Sequence, residues 1–113
     1  MISLYTSGPV TGIEHDNVTN FRRAQRLLTE AGYEAFIPHE IVGMNDTHSQ
    51  AMLVCINELT SHYESGRGIE WHYDGLALLP GWEQSEGARL EKAVAEACGI
   101  PCKTVDEWLK EAI

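Results

Sequence analysis

Cations are scarce in this sequence. Eight Lys and Arg stand against 17 Asp and Glu, giving a formal charge of −9 over 113 residues. A field of that sign repels phosphate backbones and anionic lipid, so nucleic-acid polymers and membrane surfaces are excluded as default partners. A small anionic ligand remains compatible, because helix N-termini and loop amides bind phosphate locally. Long hydrophobic runs are missing as well, and none approaches a membrane span. The amino terminus has no basic-then-apolar signal, so a cytoplasmic protein is expected. Cysteines number three, at positions 55, 98 and 102, too few for a disulfide framework. Gly99 and Pro101 break any helix between Cys98 and Cys102, and no other Cys/His pair has ligand spacing. Neither zinc nor another cofactor is expected, and the thiols read as small buried apolar groups. With 43% hydrophobic and 22% charged residues and 4 prolines, the chain is too apolar for disorder and too mixed for a coiled coil. A single domain over residues 1–113 follows from the length.

What is present alternates in period. Ile2 to Thr6 is a short apolar run closed by Ser7, Gly8 and Pro9, and reads as a buried strand. From Asn17 to Ala31, apolar residues at Val18, Phe21, Ala24, Leu28 and Ala31 predict a helix stopped by Gly32. Glu34 to Ile37 is a second strand, and His39 to His48 is polar and irregular. Helical spacing returns from Ser49 to about Tyr63 through Met52, Cys55, Ile56 and Leu59. Glu64 to His72 reads as a loop or a broken helical piece. Gly75 to Leu79 is a third strand. Glu86 to Cys98 predicts a helix burying Leu90, Ala93, Val94 and Ala97, then Ile100 to Lys103 a last strand. Thr104 caps a terminal helix through Val105, Trp108 and Leu109. Alternating strands and helices predict a small flavodoxin/Rossmann-like α/β fold: a parallel sheet of four or five strands with helices on both faces.

Such sheets bind ligands beyond the carboxyl ends of their strands. Two segments fall there. Ser7-Gly8-Pro9-Val10-Thr11-Gly12 lacks the P-loop lysine and the three-glycine dinucleotide spacing, and alone reads as a turn. The other runs from Leu79 through Pro80, Gly81, Trp82, Ser85 and Gly87 to Glu91. Ser85 is placed to cap the following helix. Glu91, six residues on, borders the stripe of Leu90 and Val94, where a carboxylate could act as the nucleophile of glycosyl transfer or be an ordinary solvated glutamate.

Tyr5 to Gly12, together with Leu78 to Glu91, resembles a domain family of unknown function from small phage and bacterial proteins. That family belongs to the nucleoside 2-deoxyribosyltransferase-like superfamily, and the similarity reaches from the first strand to Pro101. The resemblance implies that Glu91 is a catalytic nucleophile and that Ser85 binds the 5′ end of the sugar. Serine at that position implies a nucleoside monophosphate, since a hydroxyl at a helix N-terminus donates to phosphate where a carboxylate would repel it. Ser7, Gly8 and Pro9 carry over as contacts to base and sugar, and Gly87 lies in the same motif. His39 falls near the base, Asp74 matches an acid that opens a strand, and Trp82 has the chemistry to stack on a base or pack under the loop. One departure stands out: an acid that relatives carry on the second helix falls here in the register of Gly66, with Glu58 or Glu70 as substitutes. The expected activity is an N-glycosidase or deoxyribosyltransferase on a nucleotide or nucleoside, the alternative a nucleotide-binding protein without turnover. A homodimer or larger homo-oligomer is expected alongside either.

Overall fold

The computed structural model describes residues 1–43 and 45–112. Its frame is a parallel sheet of four strands, in the order β2-β1-β5-β6. The strands are β1 (Ser3–Ser7), β2 (Glu34–Phe36), β5 (Gly75–Leu78) and β6 (Cys102–Thr104), and the small flavodoxin/Rossmann-like expectation holds. The inner strands β1 and β5 are buried along almost their whole length, which is why they read as apolar runs rather than as alternating ones. Helices α1 (Val18–Glu30), α2 (His48–Leu59), α3 (Glu86–Ala97) and α4 (Val105–Glu111) cover both faces.

Side chains alternate along each strand and so divide into two cores. Leu4, Ala77 and Leu79 point to α1 and α4, where Phe21, Leu28, Tyr33 and Trp108 meet them. Tyr5, Leu76 and Leu78 point the other way, to Cys55 and Leu59 of α2 and Ala95 of α3. Caps set the helix starts. Thr47 and Gln50 cap α2 reciprocally, and Thr104 and Glu107 do the same for α4.

Three expectations need correction. The second helix ends at Leu59, and residues 62–71 form an antiparallel hairpin of β3 (His62–Ser65) and β4 (Gly68–Trp71) instead of a loop or helical piece. The two strands are joined by the Gly66-Arg67 turn. The buried stripe of α3 is Ala88, Glu91 and Ala95, whereas Leu90, Ala93 and Ala97 are exposed and Val94 is half-buried. Small residues let the helix lie close to the sheet, and this turns the larger ones outward. The last strand starts two residues later than expected, at Cys102, because Ile100 and Pro101 complete the turn out of α3.

Candidate active site

From β1 the chain moves outward to β2, and from β5 it moves outward in the opposite direction to β6. The order reverses between β1 and β5, so a crevice is expected at their carboxyl ends. Ser7 ends β1 there, paired beside Leu78 of β5.

Strand alternation sends Tyr5 and Ser7 to the same face, toward α3. Glu91, on the second turn of α3, reaches back to both. Its Oε1 accepts the Ser7 hydroxyl at 2.8 Å, and its Oε2 accepts the Tyr5 hydroxyl. The carboxyl is only 6% exposed. Burial pushes its pKa above the ordinary carboxylate value, with the two hydroxyls acting in the opposite sense. Burial, and then the Glu91 charge, push the Tyr5 hydroxyl well above the usual range. Cys55, in the same cluster, is pushed up to about 11 by burial and stays a thiol. The Tyr5 ring is held by Phe36 at 5.3 Å between centroids and by the edge of Tyr73 at 5.6 Å. The result is a desolvated carboxyl with both oxygens oriented, suited to nucleophilic attack or to accepting a ligand's hydrogen bonds.

The other expected site residues divide between the two edges of the sheet. Ser85 caps α3, its Oγ accepting the Ala88 amide at 3.2 Å. Gly8 lies against β5, and a Cβ there would come within 2.8 Å of Leu79 Cβ. Gly87 faces α2, where an added Cβ would meet Met52 Sδ at 3.1 Å. Pro9 offers its carbonyl to Asn17 Nδ2 at 2.8 Å. Trp82 is half-buried against the Tyr5 core, with Lys92 Nζ 5.4 Å from its ring centroid. His39 follows β2 at the same edge. Its Nε2–H donates to the Asp16 carbonyl at 2.7 Å and its ring rests on Phe21, while Nδ1 is buried with no partner among the described residues. The carbonyl it holds belongs to a strained turn: His15, Asp16 and Asn17 have φ of 53, 53 and 60°.

Asp74 is not brought to Glu91. It sits at the opposite edge, before β5, and its carboxylate accepts the Ser3 amide at 2.9 Å. Gly66 lies between β3 and β4 rather than on a helix, Glu70 is on β4, and Glu58 at the end of α2 accepts the Tyr73 hydroxyl at 2.8 Å. Two open clefts of about 690 and 410 Å³ flank the hairpin, lined by Tyr63 and Tyr73 and away from Glu91. The residue that sequence reasoning missed is Tyr5, and the available signal was its two-residue offset from Ser7.

Fold and site together define a small α/β domain with a buried carboxyl at the switch point of a parallel sheet. Over residues 2–104 the chain matches a domain of unknown function, DUF4406, and it belongs to that family. No curated protein and no solved structure matches it. Among the described residues no helix is long and apolar enough to cross a membrane.

Proposed function

We propose that the protein is an N-glycosidase or deoxyribosyltransferase acting on a nucleoside 5′-monophosphate or nucleoside, with Glu91 as nucleophile. The observation that carries the reading is the buried Glu91 carboxyl at the switch point, held by the Tyr5 and Ser7 hydroxyls. The resemblance to nucleoside 2-deoxyribosyltransferase-like proteins supplies the reaction class. A Glu91 oxygen forms a bond to C1′ as the C1′–N bond breaks. The base leaves with that electron pair and takes up a proton from solvent. Water, or a second base, then attacks C1′, gives its proton back to solvent and releases the carboxylate. Ser85, at the start of α3, has a hydroxyl proton to give to a 5′-phosphate while its oxygen caps the helix. On this reading Ser7, Gly8 and Pro9 contact base and sugar, with His39 and Trp82 near the base.

The test is chromatographic. Purified protein is incubated with common nucleotide monophosphates and nucleosides, with and without an acceptor base, and free or exchanged base is resolved. Glu91→Gln should keep the fold and lower turnover by roughly a thousandfold or more. No product from any substrate, with or without acceptor, sinks the enzyme reading.

One observation favours a second reading, nucleotide binding without turnover. Glu91 is nearly inaccessible, and burial favours its protonated form, which is not a nucleophile. Nucleotide-induced thermal stabilisation without product, equal in wild type and Glu91→Gln, would select it.

A further inference from the structure

Asn17 opens α1 but does not do what a residue of its type does there. Asparagine is a favoured N-cap because its side-chain oxygen accepts an amide of the first turn. Asn17 stands at that position with no such bond, and its backbone is left-handed, with φ of 60°. The residue is only 5% exposed, and its side chain is bonded to the loop between β1 and α1. The Pro9 carbonyl can only accept, so the Asn17 group 2.8 Å from it is the amide nitrogen, Nδ2. Oδ1 then accepts Asn20 Nδ2 at 2.7 Å, which fixes the side chain from its other end. The local backbone follows from the sequence. His15, Asp16 and Asn17 are three consecutive left-handed residues, and all three types are enriched in that conformation.

Proline has no amide hydrogen, so the carbonyl is the only backbone handle that Pro9 has, and Asn17 holds it. The Pro9 ring lies against the turn of the other site segment, where a Cβ added at Gly81 would meet Pro9 Cγ at 3.4 Å. The first segment carries Ser7, which donates to Glu91, and the second leads to Ser85, which caps the helix of Glu91. We infer that Asn17 is a positioning residue for ligand binding: by holding the Pro9 carbonyl, it sets Ser7-Gly8-Pro9 against the Gly81 turn. His39 ties the far end of the same loop through the Asp16 carbonyl, at 2.7 Å. Between the two ties, the Val10 and Ile13 carbonyls accept the Ile13 and Asp16 amides. Left-handed backbone at three non-glycine residues is strained, and it keeps its place only while such anchors hold. The inference rests on the nucleotide reading for its ligand, but not for its geometry.

Asn17→Gly tests it, because glycine accepts the left-handed backbone and removes both side-chain bonds. Asn17→Asp is its companion: it keeps an oxygen for Asn20 and the tolerance for positive φ, and loses the N–H to Pro9. Each is assayed with nucleoside monophosphates beside wild type, with circular dichroism melts reporting the folded fraction. Both variants should raise KM, or Kd where there is binding without turnover, by about tenfold while kcat changes less. A residue that served stability alone would instead lower the active fraction, and so the apparent kcat, at unchanged KM. That outcome, or an Asn17→Asp protein that binds like wild type, overturns the inference. A wild type that neither binds nor turns over any nucleotide overturns the nucleotide reading, and Asn17 is then decided by amide hydrogen exchange. The Ile13 and Asp16 amides should exchange about tenfold faster in both variants while those of β5 keep their rates. Unchanged loop rates overturn the inference as well.

Discussion

The two faces of the sheet are made of different material. Against α1 and α4, large side chains interlock around Trp108, and the polar atoms among them are satisfied internally. Trp108 Nε1–H donates to the Leu76 carbonyl at 2.9 Å, and the Tyr33 hydroxyl donates to the Trp108 carbonyl at 2.8 Å. Against α2 and α3 the inward residues are Leu59 and three small ones, Cys55, Ala88 and Ala95, and Glu91 is buried among them. The first face holds the fold through volume. The second gives up contact area to keep an ionisable group out of water, and it is the face with apolar residues left on its outside. In a domain of this size, packing and chemistry are separated by the direction a side chain takes from a strand.

The largest effect that would sharpen this contrast is on the packing face. Trp108→Ala should lower unfolding free energy by about 3–5 kcal/mol in urea titrations while leaving the Glu91 titration in place. A loss below about 1 kcal/mol would break the comparison. Next comes Tyr5→Phe, which strands Glu91 Oε2 without its donor. It should cost about 1–3 kcal/mol and push the carboxyl pKa further up, as read by carboxyl carbon NMR.

A third effect is one of pH. Burial raises the folded-state pKa of Glu91, so the folded protein holds this proton more tightly than the unfolded chain. Below the unfolded value both states are protonated and the group contributes nothing to pH dependence. As pH rises toward and through the folded value, wild type loses stability relative to Glu91→Gln. The melting-temperature difference, variant minus wild type, should therefore grow as pH rises above the ordinary carboxylate range and level off once the folded group has ionised, and a flat difference would show a carboxyl no more desolvated than a surface one. The smallest effect belongs to the cap. Ser85→Ala should cost about 1 kcal/mol, and Ser85→Asp should retain most of that stability while weakening binding of any 5′-phosphate.

Much of this was legible in the residues, and what was not has physical reasons. The strands read as apolar runs because a parallel sheet buries both their faces. Ser85 was legible because caps are local, set by one hydroxyl and the next few amides. The hairpin was not, since His62 to Trp71 is exposed almost throughout and offers no apolar alternation to count. The α3 face was misassigned because Leu90 and Val94 form the more hydrophobic stripe, while alanines and a glutamate were chosen by proximity to the sheet. Asp74 has the same chemistry at either edge of a strand, and only topology places it beside Ser3. Tyr5 is the instructive omission: it looked like core, and it is core, with its hydroxyl as the exception.

The alternation in β1 also sets uneven rules for the gene. Leu4 faces one helix layer, and Tyr5 and Ser7 face the other. Deleting or inserting one codon inside this strand would exchange them, exposing an aliphatic side chain where Glu91 needs hydroxyls and a phenol where α1 needs leucine. At the Gly66-Arg67 turn, the same change only lengthens or shortens an exposed loop. Length variation among descendants of this sequence should therefore collect at the hairpin tip and be absent from five consecutive positions near the start.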